Sequence, residues 1–136
     1  MNAATMLLLS LPALAGCEQV PVRPPSALVS REVAIRQADQ FARAIGGQWW
    51  NIQGTSMRPF LSERSIVVTE PAHFDELQAG DVVLCRTPRL RTVIHRLLEL
   101  RDGAWVICGD ANLFPDDERV TRANYLGRQC AVFFTQ

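Results

Sequence analysis

No lysine occurs anywhere in the 136 residues, and all 14 basic side chains are arginine. That absence removes lysine as a catalytic base. The arginines balance 14 carboxylates to a formal charge of zero, so the chain offers no broad basic field to a nucleic acid, and no nucleic-acid partner is expected. Histidine is scarce too, with only His73 and His95. Four cysteines, at 17, 85, 108 and 130, show no Cys-x-x-Cys or histidine spacing, so the pattern suggests neither a metal nor a cofactor. Once Cys17 is set aside the count is odd: one pair among the other three could form a disulfide, or all three could be buried free thiols. There is no internal repeat and no low-complexity tract. The length and the 48% hydrophobic content fit one compact domain.

Long apolar runs are also missing. Met6 to Gly16 is eleven residues long, whereas a spanning helix needs roughly 20. That length suits the core of a signal peptide. It ends in Leu14-Ala15-Gly16-Cys17, which resembles the bacterial lipobox. The resemblance implies removal of residues 1–16 and a diacylglycerol on Cys17. Two other readings stay open: ordinary secretion with cleavage after Ala13-Leu14-Ala15, or an uncleaved apolar N-terminus. All three place the folded part outside the cytoplasm, and the lipobox reading places it on the periplasmic side of a cell or outer membrane. Residues 17–29, with prolines at 21, 24 and 25, read as an extended tether. At about 3.1 Å per residue it would hold the domain roughly 35 to 40 Å from the bilayer.

Residues 30–47 read as one amphipathic helix. Ser30 stands as N-cap, Glu32 lies in the first turn, and Gly46-Gly47 ends the segment. Ala34, Ala38, Phe41, Ala42 and Ile45 form its apolar stripe, with arginines 31, 36 and 43 on the solvated face. Residues 48–136 change to short β-branched and aromatic runs, predicting strands at 49–53, 65–69, 81–86, 92–100, 104–108 and 127–134. Turn residues at 79–81, 87–88 and 102–103 join them as antiparallel hairpins. The expected body is mostly β, a small curved antiparallel sheet or partial barrel preceded by one helix.

Three pieces of this body carry chemistry. Gly54-Thr55-Ser56-Met57-Arg58-Pro59 sets a serine on a glycine-led turn fixed by a proline. A serine hydroxyl needs a base within hydrogen-bond reach and donors for the oxyanion. With lysine absent, histidine is the candidate base. His95 falls in a strand, where period-two alternation sets it on one face with Val93 and Leu97. His73 lies in the loop Pro71-Ala72-His73-Phe74 and is the weaker candidate. The third piece is Cys108-Gly109-Asp110-Ala111-Asn112, followed by Asp116-Asp117-Glu118-Arg119, where carboxylates follow a hydrophobic strand.

In order, Gly-x-Ser-Met-x-Pro, Gly80-Asp81-Val82-Val83, Val93-Ile94-His95-Arg96, Gly109-Asp110-Ala111-Asn112 and a downstream Asp-x-Arg closely resemble the signal peptidase I family of serine proteases. The resemblance runs from about Trp49 to Phe134. Bacterial members place a lysine where this chain has His95, and the archaeal and endoplasmic-reticulum branch uses histidine, so the chain resembles the histidine branch. The resemblance implies Ser56 as nucleophile, His95 as general base and then acid, and Asp117 as the carboxylate that orients the imidazole, with Asp110 as rival or support. It also implies an oxyanion donor from the Ser56 backbone, Gly54 beside it, and Met57 packed next to the nucleophile. The expected protein is an extracytoplasmic serine endopeptidase, a lipoprotein that processes polypeptides after small residues. A catalytically inactive periplasmic binding or assembly lipoprotein on the same sheet is the alternative.

Overall fold

In the computed structural model, residues 29–89 and 91–133 are described; the expected signal segment, Cys17 and the expected tether up to residue 28 lie outside them. The body opens with helix α1 (Arg31–Ile45). The Ser30 hydroxyl accepts from the Val33 backbone N–H at its start, and Gly46, at φ 68°, closes its end in the left-handed region that suits glycine. Ala34, Ala38 and Ala42 are buried. Their small side chains let the helix lie close on the first two strands. Phe41, expected in the buried stripe, is 39% exposed, because the alanine ridge makes the contact and leaves the larger ring at the flank. Among the described residues no helix is long and apolar enough to cross a membrane.

Seven strands follow: β1 (Gln48–Asn51), β2 (Ile66–Glu70), β3 (Val82–Thr87), β4 (Arg91–Arg101), β5 (Ala104–Cys108), β6 (Arg119–Val120) and β7 (Tyr125–Phe133). They form one antiparallel sheet in the order β1-β2-β7-β3-β4-β5-β6, not closed into a barrel. The body is therefore mostly β, as the alternating runs predict. β6 is an additional strand of two residues, too short to leave a periodic pattern, and it pairs with Trp105 and Val106 of β5. The last strand starts at Tyr125, two residues before the predicted boundary at Gly127.

The last strand in sequence lies inside the sheet, paired with β2 on one side and β3 on the other. Arg128 ties it to both neighbours. Its Nε donates to Glu70 at 2.7 Å, and its NH1 lies 3.7 Å from the buried Asp81 carboxylate. One apolar core, under α1 and the serine turn, gathers Ile52, Met57, Leu61, Ile66, Val68 and Val132. A second, between β3, β4, β5 and β6, gathers Val83, Cys85, Leu97, Trp105, Ile107 and Val120. The serine turn hangs from the first core and β4 and β5 from the second. The candidate site lies where the two meet.

Candidate active site

The chain leaves β1 at Asn51 and reaches Ser56 through Gly54, whose φ of 81° lies in the left-handed region. A helical turn follows. The Arg58 N–H donates to the Thr55 carbonyl at 3.1 Å and the Leu61 N–H to the Met57 carbonyl at 2.8 Å. Met57 and Leu61, both nearly inaccessible, root this turn in the core. The expected packing role of Met57 is therefore met. Ser56 itself remains partly exposed.

His95 stands in mid-strand on β4, opposite Val83, and is 7% exposed. Its Nε2 lies 3.0 Å from the Ser56 hydroxyl and its Nδ1 2.5 Å from Asp116 Oδ2. A carboxylate only accepts, so Nδ1 carries the proton and donates to Asp116. Nε2 is then the lone-pair nitrogen that accepts the serine O–H. Serine, imidazole and carboxylate make one hydrogen-bonded line in the order that general-base activation of a hydroxyl needs.

The carboxylate in that line is Asp116, which corrects the expectation for Asp117. The Asp116 N–H donates to the Ile107 carbonyl at 2.8 Å, and this bond to β5 turns the Asp116 side chain toward His95. Asp117 lines the cavity in front of the site and is exposed. Two adjacent aspartates look alike in sequence; the loop's bond to β5 distinguishes them. Asp110 does not reach the imidazole either. Arg96 grips it with two parallel bonds of 2.8 and 2.7 Å, and also donates to the Gly80 carbonyl at 2.8 Å. The guanidinium stacks on Phe60, 4.9 Å from the ring centre. Asp110 thus fixes the Gly109–Asn112 turn to β4 and to the segment after Ser56. His73, the weaker candidate, is exposed at the start of a short 3-10 turn (Phe74–Glu76).

Two contacts bring the acidic loop against the serine. The Ala111 N–H donates to the Ser56 carbonyl at 2.8 Å. A Cβ added to Gly109 would lie 2.7 Å from that carbonyl oxygen and 3.0 Å from His95 Nε2, so the turn closes on the pair only because residue 109 has no side chain. Sequence reasoning assigned Gly109 to the motif but not to this contact.

Cys85, Cys108 and Cys130 are free thiols. Burial pushes Cys85 and Cys130 up to about 12, and burial followed by the nearby Asp116 and Asp110 raises Cys108. The Cys108 thiol donates within its own loop, to the Gly109 and Phe114 carbonyls at 3.3 Å. None of the three is a poised nucleophile.

The serine opens into a cleft of about 910 Å³, walled by Trp50, Ile52, Leu84 and Val93 and reaching His95 and Asn112. Apolar walls beside a hydrogen-bonded hydroxyl and imidazole suit acyl transfer on a ligand that lies along the sheet. No protein-family model matches the chain. No curated protein matches it either.

Proposed function

We propose that the chain is an extracytoplasmic serine endopeptidase of the signal peptidase I type, lipid-anchored at Cys17, that cleaves exported or membrane-proximal polypeptides after small residues. The observation that carries this reading is the line from Ser56 Oγ through His95 to Asp116, at 3.0 and 2.5 Å.

Ser56 Oγ attacks the scissile carbonyl carbon as His95 Nε2 takes the hydroxyl proton, and the imidazolium is stabilised across Nδ1 by Asp116. The resulting oxyanion is held by backbone donors, with the Ser56 amide as the first. His95 then gives its proton to the leaving amine as the carbon–nitrogen bond breaks. A water, deprotonated by the same nitrogen, attacks the acyl-enzyme, and its proton returns to Ser56 as the ester breaks. Imidazole is the side chain whose intrinsic chemistry suits proton transfer near neutral pH. A lysine in the same place would need a pKa several units lower.

Cleavage of an Ala-x-Ala peptide by the purified chain, beside Ser56→Ala and His95→Ala variants, tests the mechanism. Both variants are expected to lose turnover by a factor of about 10³ or more. Equal cleavage by all three proteins would show the assignment to be wrong. The anchor is tested by metabolic labelling with a fatty acid, which should mark the wild type and not Cys17→Ser. Equal labelling would refute it.

A further inference from the structure

On the serine-peptidase reading of Ser56 and His95, we infer that Asp117 and Glu118 make the cleft select peptides with a cationic side chain next to the scissile bond. The cleft is marked as a site by the Ser56–His95 pair, independently of its charge. Its walls at Trp50, Ile52, Leu84 and Val93 are largely apolar, so the few ionisable groups that line it dominate its field.

Those groups divide by position. Asp116 is engaged by His95, and Asp110 by Arg96. Asp117 and Glu118 follow Asp116 in the chain and line the cavity, and among the described residues no hydrogen bond or ion pair engages either carboxylate. Consecutive Cα atoms are about 3.8 Å apart, so the Asp117 backbone lies directly beside that of Asp116, and Glu118 lies near enough to Cys85, opposite Val93 on β4, to act on its thiol. The opposite charge is supplied by Arg89, in the turn between β3 and β4, which lines the same cavity. His95 lies four steps along β4 from its start at Arg91, roughly 13 Å at about 3.3 Å per residue.

The cleft is therefore negative beside the serine and positive at its far end. An extended peptide lying along β4 meets the carboxylates with the residues nearest the cleaved bond, and meets Arg89 about four residues away. A lysine or arginine within a residue or two of the bond is attracted. The same side chain at the far end is repelled.

The test uses the purified full chain and alanine-rich octapeptides in which one arginine, glutamine or glutamate is walked through every position. Wild type should favour the arginine peptide about tenfold in kcat/KM when the charge lies within two residues of the cleaved bond, at a position other than the small residue that precedes it, and should disfavour the glutamate peptide. That ratio should fall toward one in Asp117→Asn/Glu118→Gln and at about 1 M salt, where the screening length is about 3 Å. Arg89→Gln should raise cleavage only of peptides with a distal arginine. Ser56-dependent cleavage with equal rates on all three peptides overturns the inference and leaves the peptidase reading intact. Binding to Ser56→Ala, followed by fluorescence anisotropy, separates the reverse case. If wild type cleaves nothing while arginine peptides bind preferentially and lose that preference in the double variant, the peptidase reading falls and the selectivity stands. Equal binding of all peptides overturns the selectivity by a second route.

Discussion

At the scale of single residues, Asp116 and Asp117 are chemically identical neighbours with different assignments. Asp116 bonds His95 Nδ1 at 2.5 Å, so Asp116→Asn exchanges an acceptor for an amide and lets the imidazole present its N–H to Ser56. On the proposed function the loss should fall on kcat, about 10⁴-fold, as expected when a Ser-His-Asp set loses the acceptor that holds its imidazole tautomer. Asp117→Asn should cost far less on an uncharged peptide. Steady-state kinetics on the two variants decides between them, and the reverse ranking would restore Asp117 to the imidazole. The residue types at 56 and 95 were legible because a serine on a glycine-led turn and a strand histidine leave strong local marks. Spacing could not resolve the carboxylate, because the choice rests on the bond from the Asp116 N–H to the Ile107 carbonyl, which forms only when the loop folds back on β5. Likewise Asp110 reads as a possible catalytic acid until the two bonds from Arg96 are seen to occupy it.

Among the elements, α1 and its exit were well marked in sequence, since Ser30 and Gly46 cap it by local rules. The docking was less legible. Gly47, just past the cap, has no room for a side chain, as an added Cβ would stand 2.1 Å from the Thr69 carbonyl oxygen. Backbone on β2 cannot yield as a flexible side chain would, so Gly47→Ala should destabilise the protein by about 3 kcal/mol. A urea-denaturation midpoint unchanged from wild type would show that α1 can move away at no cost. Strand positions followed from β-branched runs and turn residues, whereas β6 escaped because two residues carry no period. The buried Gln129 also breaks the apolar pattern of β7, and neither of its side-chain polar atoms has a protein partner among the described residues. Nothing in the strand pattern prepares for a polar side chain in that place.

For the molecule as a whole, the buried and half-buried thiols and phenol set an alkaline limit. Cys85 and Cys130, ordinarily near 9.0, and Tyr125, ordinarily near 10.0, are each raised to about 12 by burial. The folded state then keeps protons that the unfolded chain releases, so unfolding is increasingly favoured as pH climbs. Their contribution is fully present below pH 9 and is lost between about 9 and 12. Urea midpoints at pH 8 and 10.5 should show a decline that is shallower in Cys85→Ala/Cys130→Ala; parallel curves for the two proteins would remove the thiols from the explanation. The overall class, one helix and a mostly β body, was legible from periodicity. The strand order was not, because period-two patterns say which face is buried and not which strand lies beside which. That order has a temporal meaning. Ser56 belongs to the β1–β2 side of the sheet and His95 and Asp116 to the β3–β6 side, and only β7 bridges the two ladders. Synthesis runs from the N-terminus, so β7 is made after Ser56, His95 and Asp116. A nascent or truncated chain lacking residues 125–133 has every reacting group but lacks the strand that pairs with both β2 and β3. On the proposed function, cleavage is therefore expected only after β7 has been made and has paired with β2 and β3.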